Sequence, residues 1–494
     1  FDEFYSLNDV SSQVFISPAL KENPKLKIKN KSLLIEIKDS LEQNTTYTIY
    51  FGNAIRDVNE GNVLKNFQYV FSTGNYIDSM RISGFVKSVT DNKPISNATV
   101  MLYKSLDDSV IVKSKPNYFI KTDEAGFFQL NHLKSGKYKL FALQDLNANY
   151  KYEFDELIAF SDSIIDIKDT SAVYQLNMFK AAPKKNKTIS AVSMGQGKIK
   201  LILANRVDSF YVKLLNPETE IRNVLFNNTS DTIQCFINPA LKDSVVIFLG
   251  DKSFSDTVSV RLKFEKSLKD TSNKNNKPAL ISNLISNNAQ KILLFGSSLQ
   301  FKSNYPIKKI DKLKVEIVDL VDTTTSLKNN INLIINEISN EQSVRISADF
   351  KSEHFYLAKI SAGFISDFDN NINDSLTLKF QYSDEASIGN LKIKFAGLDS
   401  TQHYIAQVLN EKKEIVFLAA VNGNQTILKF NKLTPRKYFL HLIEDKNNNG
   451  LWDSGNYWQH LQPEKIYNYL QEINVRSNWD LDITMNIATG NKRK

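Results

Sequence analysis

The stretch K-L-K-I-K-N-K-S-L-L-I-E-I-K, Lys25 to Lys38, decides the class of fold. Leu26 and Ile28 alternate with lysine, the chain turns at Asn30-Lys31, and alternation resumes through Ile35-Glu36-Ile37-Lys38. A period of two with one wet face belongs to an antiparallel sheet whose other face lies in a core. Runs of this kind, separated by Asn, Asp, Gly and Ser clusters, continue to about residue 480. Nowhere does helical spacing persist beyond about three turns. The pattern predicts an all-β chain of tandem β-sandwiches with no sizeable helical domain.

A chain of 494 residues has room for several such domains. Its composition, 42% apolar and 11% aromatic, is that of a folded protein, and no apolar run approaches the ~18 residues of a membrane span. Cys235, the single cysteine, has no partner for an internal disulfide, so cores alone must hold the fold. The net charge of +8 comes mostly from lysines scattered among carboxylates, with one dense cluster at Lys184-Lys185-Asn186-Lys187. Nucleic-acid binders gather Arg and Lys on one face, so no nucleic-acid partner is expected; attraction to an anionic envelope surface suits the charge better.

Polar turn segments mark boundaries at Ser72-Thr73-Gly74-Asn75, Pro183 to Lys187, Asp270 to Pro278 and Ser383 to Ser387. Five blocks result: 1–75, 80–182, 188–270, 279–384 and 388–486, with 487–494 as a disordered tail. Two of them repeat. Segment 127–149 aligns without gaps to 427–449: Asn131, Leu133, Lys137, Tyr138, Leu140, Asp145, Asn147 and Asn149 recur as Asn431, Leu433, Lys437, Tyr438, Leu440, Asp445, Asn447 and Asn449. The preceding blocks echo more faintly, each with an Asp-rich loop (Asp57 to Gly61; Asp367 to Asn370) and then Phe67-Gln68-Tyr69 or Phe380-Gln381-Tyr382. The order is A–B, a middle domain, and A–B again.

Block 80–182 runs from Ile82-Ser83-Gly84-Phe85-Val86 through Lys93-Pro94-Ile95 and Thr122-Asp123-Glu124-Ala125-Gly126-Phe127 to Gly136-Lys137-Tyr138. It resembles the carboxypeptidase-regulatory, prealbumin-like β-sandwich. The block before it, with Asn44-Thr45-Thr46-Tyr47 and a closing Phe71-Ser72-Thr73, resembles bacterial Ig-like domains. Together they resemble Ig-like envelope lipoproteins of the Bacteroidota. The second B copy departs from the pattern, with Pro435-Arg436 for Ser135-Gly136 and no clear T-D-x-x-G. The resemblance implies a lipoprotein signal and lipidated cysteine ahead of Phe1, an outer-membrane location on the periplasmic or surface face, and envelope proteins as partners. The opening Phe1-Asp2-Glu3-Phe4, inside a strand pattern, fits a chain whose true beginning lies upstream.

Catalytic chemistry is hard to find. His132, His354, His403, His441 and His460 lie far apart in no ligand spacing. Cys235 sits in apolar Ile233-Gln234-Cys235-Phe236-Ile237, where a thiol is a small core residue. Gly195-Gln196-Gly197-Lys198 lacks the spacing and helix of a phosphate loop. Asp155-Glu156 cannot supply two carboxyls across a cleft. No enzyme is expected, a hydrolase cleft being the weakest alternative. Trp452, Trp458 and Trp479, beside Tyr457, Tyr467 and Tyr469, read either as a sandwich core or as an aromatic surface for a glycan or a protein.

One device remains. E-D-K-N-N-N-G-L-W-D-S-G, Glu444 to Gly455, places Asp445, Asn447 and Asn449 at positions one, three and five of a calcium loop. Gly450 takes the sharp turn, Leu451 offers a carbonyl and Asp453 the ninth position; Asn456 stands where a twelfth-position Glu belongs. The first copy offers Asp145, Asn147, Asn149 and Glu153, with Asp155 or Glu156 beyond and Tyr150 in the glycine place. Calcium, held at a Kd on the order of 10⁻⁴–10⁻³ M, and an Asx-turn in which these side chains only cap amides, are both open readings.

Overall fold

The computed structural model describes the chain apart from residues 23, 66, 169–171, 183–184, 208–209, 228–230, 242, 252–253, 264–282, 286–290, 321–325, 331–332, 338–341 and 488–494. The boundary expected at Asp270 to Pro278, Pro183 with Lys184, and the tail beyond Ile487 therefore lie outside the described residues. The fold is all-β, as the alternation demands. Its described α-helices, Val10–Gln13 and Val110–Lys113, are single turns.

The chain forms two compact units: Phe1–Lys184 with Trp452–Ile466, and Lys185–Leu451 with Tyr467–Lys494. Unit 1 begins with a three-stranded sheet of Phe15–Ser17, Thr46–Tyr50 and Gln68–Ser72. The hairpin Lys25–Lys29/Ser32–Glu36 forms a separate two-stranded sheet in the expected antiparallel register. Tyr5, Ile16, Tyr47, Ile49, Phe51 and Ile55 fill this block's core.

The second block of unit 1 orders its strands Tyr118–Lys121, Thr99–Tyr103, Gly136–Leu143, Leu157–Phe160, Val173–Lys180, Met80–Ser88 and Phe127–Leu133. Val173–Lys180 runs parallel to Met80–Ser88 and the other pairings are antiparallel. Alternate residues such as Ile82, Val100, Leu102, Phe128, Leu130, Tyr138 and Leu140 close one core. Met101, Phe119, Phe141, Leu143 and Ile158 point the other way into a second cluster. A sheet buried on both faces loses the simple wet–dry alternation, which is why Thr99–Tyr103 is buried at every position.

The two blocks of unit 1 are pinned together. Phe15 packs on Phe119 at 4.9 Å between centroids, the Phe119 amide donates to Ser17 Oγ at 3.2 Å, and the Asp78 amide donates to Thr46 Oγ1 at 2.9 Å.

Unit 2 opens with a sandwich of Thr188–Gly195, Lys198–Leu203, Thr232–Phe236 and Asn223–Phe226 against Tyr211–Asn216, Ser244–Gly250 and Ser255–Arg261. Cys235 lies in its core. A second sandwich follows around Phe301, Ile317, Val344, Ile346, Tyr356 and Phe380. The last block repeats most pairings of the second block of unit 1, but the link from Leu157–Phe160 to Val173–Lys180 has no described counterpart and the strands of the last block form two sheets. Gly389–Ala396 runs parallel to Asp480–Asn486, and Phe85↔Phe127 has its counterpart in Lys394↔Ile427. Tyr138↔Ile165 recurs as Tyr438↔Ile473, and each tyrosine hydroxyl donates at 2.8 Å to the carbonyl four residues upstream, Lys134 or Thr434.

The fainter echo between the Ig-like blocks is also present, with one correction of register. Tyr47 stacks on its cross-strand partner Phe71 at 5.5 Å, and Tyr356 on Phe380 at 5.6 Å. Each hydroxyl accepts an amide five residues upstream, from Glu42 or Lys351. Phe71, not Phe67, therefore corresponds to Phe380. The shared letters Phe-Gln-Tyr misled because a pleat preserves face and pairing, not adjacent identities.

Candidate functional site

Both Asp/Asn loops leave the end of a long strand, Gly136–Leu143 or Arg436–Glu444. In the first, Asp145 Oδ1 accepts the Asn149 amide at 3.1 Å and Oδ2 the Tyr150 amide at 2.9 Å. Asn147 Oδ1 accepts the Asn149 amide and Asn149 Oδ1 the Lys151 amide. In the second, Asp445 accepts from Asn449 at 3.0 Å and Gly450 at 2.8 Å, Asn447 from Asn449, and Asn449 from Leu451. The two loops match atom for atom. Tyr150, at φ +60, takes the left-handed backbone that Gly450 takes at φ +74. A side chain there costs about 1–2 kcal/mol, and the Tyr150 ring recovers packing against Phe119, 4.5 Å away.

The nests of accepted amides are Asx-turns. A carboxylate or amide oxygen keeps a further lone pair after accepting one amide, so the same donors fit a weakly held, oxygen-seeking cation. Among the described residues no three His, Cys, Asp or Glu side chains gather as a metal-holding group. A cation here would lean on Asn and backbone oxygens. Glu153, expected at position nine, accepts the Asn149 side-chain amide at 2.8 Å. Asp453 belongs to unit 1 with Trp452–Ile466, whereas Asp445, Asn447, Asn449 and Leu451 belong to unit 2.

Sequence reasoning undervalued two carboxylates in the segments that follow the loops. Glu156, buried, takes the Leu146 amide on Oε1 and the Glu153 amide on Oε2, each at 3.0 Å. Burial raises its carboxyl above the ordinary range, against the pull of the two amides. Glu464, also buried, takes the Asp453 amide at 2.9 Å. The signal was the strand that follows each, Leu157–Phe160 and Ile466–Asn468. It was obscured because Asp453 to Glu464 is eight residues longer than Glu153 to Glu156.

Those extra residues have a destination in unit 1. Tyr457 is 1% exposed there, its ring edge-on to Phe141 at 5.5 Å and Phe160 at 5.3 Å. Its hydroxyl donates to the Asp108 carbonyl at 2.6 Å. His460 Nε2 lies 3.0 Å from Asp108 Oδ2, Gln462 donates to the Phe160 carbonyl, and the Ala182 amide donates to the Gly455 carbonyl.

Trp452 and Trp458 pack on the Met101–Phe141 cluster of unit 1, while Trp479, 55% exposed in unit 2, lies under the Arg476 guanidinium at 5.2 Å. Burial of apolar ring surface favours the core reading for Trp452 and Trp458. Tyr467 donates to Glu444 in a cleft of about 530 Å³ also lined by Asp399, Gln402, Tyr404 and Lys446. The Asp399 carboxylate is engaged by Thr401.

The other residues singled out have structural partners. Cys235 is wholly buried and its thiol is pushed up to about 12, far from a thiolate nucleophile. His132 meets the Asp78 carbonyl and His354 the Asp319 carboxylate, while burial lowers His441. Gly195, Gln196 and Gly197 make the hairpin turn between Thr188–Gly195 and Lys198–Leu203. Asp155 faces Lys180 at 3.8 Å on the surface.

A family model described as a bacterial Ig-like domain matches residues 1–73. No curated protein sequence matches the chain. Among solved structures, BcpA, the major pilin subunit of Bacillus cereus, is 10% identical over 83% of this chain and 99% of its own, with a TM-score of 0.15. A titin I-band fragment is 8% identical over 62% of this chain and 100% of its own, at 0.14. The S-layer protein rSbsC is 11% identical over 95% of this chain and 64% of its own, at 0.17. Likenesses at such scores carry no argument about fold or role.

Proposed function

We propose that this chain is a non-catalytic scaffold or interaction protein of a bacterial cell envelope. The observation that carries this reading is the repeated pairing of an Ig-like block with a prealbumin-like block, the first Ig-like block matching a bacterial domain family. Such modules present surfaces on cores that need no cofactor. The finer reading is a lipid-anchored outer-membrane protein of the Bacteroidota, serving as accessory subunit of a machine that assembles or exports membrane proteins. Calcium at the Asp145 and Asp445 turns belongs to the same proposal, as a weak structural ligand.

Affinity capture of the tagged chain from detergent-solubilised envelopes, after in-cell crosslinking, tests the role. A stoichiometric membrane-protein partner is the expected result. A chain recovered alone, or retained only by cell-surface polysaccharide, overturns it. Turnover in glycosidase, peptidase or esterase screens that a single carboxylate substitution abolishes would overturn the non-catalytic reading.

A further inference from the structure

The hairpin Lys25–Lys29/Ser32–Glu36 has two unequal faces. Pairings Leu26↔Ile35 and Ile28↔Leu33 lie on one side, and Leu26, Leu33 and Ile35 pack onto the first core of unit 1. The other side carries Lys25, Lys27 and Lys29 opposite Glu36, Leu34 and Ser32. Between residues 25 and 38 there are five lysines and a single carboxylate, Glu36. Lys27 reaches Glu36 at 3.3 Å with both side chains exposed, a pair that salt readily screens.

Basic strands facing water are ordinary; this one also displays apolar groups. Leu34 stands on the lysine face at 53% exposure, and Ile28 overhangs the core at 47%. Beside the turn, Phe4 is 55% exposed under the Lys31 ammonium, 5.3 Å from its ring centroid. Leu34 on the lysine face, Ile28 at the rim of the opposite face, and Phe4, which follows Asp2 and Glu3 in sequence, form with the lysines a small amphipathic tip.

We infer that this tip is a docking surface for an anionic phospholipid bilayer. The argument is charge complementarity joined to the apolar side chains. Lysine ammonium groups are drawn to a sheet of phosphate headgroups, while Ile28, Leu34 and Phe4 reach the headgroup–acyl boundary. Flexible lysine stems keep the charges at the phosphate level as the apolar groups enter. A nucleic-acid strand suits the tip less well. It holds no arginine for bidentate phosphate contacts, and its nearest aromatic face is already under a lysine. The inference does not rest on the envelope reading or on any covalent lipid, because the side chains themselves supply the contact.

Flotation of the unlipidated chain Phe1–Lys494 with vesicles of phosphatidylglycerol and phosphatidylcholine in equal parts, against phosphatidylcholine alone, tests it. Binding is expected only to the anionic vesicles and should fade toward about 0.5 M salt. Lys25→Gln, Lys27→Gln and Lys29→Gln together should weaken it about a hundredfold. Ile28→Ser with Leu34→Ser should weaken it about tenfold at low salt. These positions are exposed, and an unchanged circular-dichroism melt confirms that the variants fold. Equal binding to neutral vesicles, or retention unchanged in the lysine variant, overturns the inference. So does equally tight binding to duplex DNA that the serine variant does not alter.

Discussion

Asp445 shows what one side chain can decide. It is buried, and its two oxygens hold the amides of Asn449 and Gly450. Asp445→Ala should destabilise unit 2 by about 2–4 kcal/mol, since charge-assisted bonds of this kind contribute about 1.5–3 kcal/mol each and do not add fully; urea unfolding measures it. Asp445→Asn keeps one acceptor and should lose less than half as much. Calcium is separable from the turn. With Kd on the order of 10⁻⁴–10⁻³ M, about 10 mM calcium should stabilise the unit that holds each occupied loop by ~1.4–2.7 kcal/mol. That gain should vanish in the Asp145→Ala, Asp445→Ala double variant, and an unchanged melting midpoint in the parent would leave the loops as turns only. The Asx letters of both loops were legible in sequence because their bonds are local. Glu156 and Glu464 were not, because their partners are set by where the following strand returns.

At the scale of elements, alternation revealed the strands and their pairing, and the gapless match of 127–149 to 427–449 is reproduced in hydrogen-bond register. What alternation could not show is which second face is covered. Phe119 and Leu418 hold equivalent places beside Met101 and Gln407, yet Phe119 is 1% exposed and Leu418 54%. Among the described residues the strand Ile415–Asn422 pairs on one side only, an uncharged edge of the kind that invites intermolecular pairing. Leu418→Lys should leave stability within about 0.5 kcal/mol and reduce aggregation on heating, as read by light scattering. The Trp452–Ile466 element should behave in the opposite way. Tyr457→Ala removes a buried ring and should cost unit 1 about 3–5 kcal/mol, whereas Tyr457→Phe loses one hydrogen bond, about 1 kcal/mol. Acid loosens the same seat. The Lys139 ammonium, then His460, holds the Asp108 carboxyl below its ordinary range. Its stabilisation is therefore present above about pH 4 and lost as pH falls through the folded value. Because Asp108 is half exposed, the effect stays below about 1 kcal/mol. Asp108→Asn should flatten that acid limb of the stability curve.

For the whole molecule, class and repetition were legible and long-range closure was not. Nothing local in Ser454 to Leu461 announces that Tyr457 belongs with Asp108, 349 residues away. A chain in which a shorter Gly/Ser linker replaces residues 452–461 should therefore keep unit 2 largely intact, because Tyr467–Lys494 is retained, while unit 1 melts earlier and is cut sooner by protease. Equal protection of unit 1 in the shortened chain would show that residues 452–461 add nothing to it.

The same segment sets a timetable. A ribosome delivers Asp108, Phe141 and Phe160 long before Tyr457, so the aromatic slot of unit 1 waits, unfilled, while the intervening domains are made. Joining ends so distant is thermodynamically mild, since each doubling of a loop adds only about 0.6 kcal/mol. The delay is in time. Until Tyr457 is made, the newborn protein carries an open hydrophobic notch, and maturation of the domain that holds Asp108 is gated by a segment 349 residues further along.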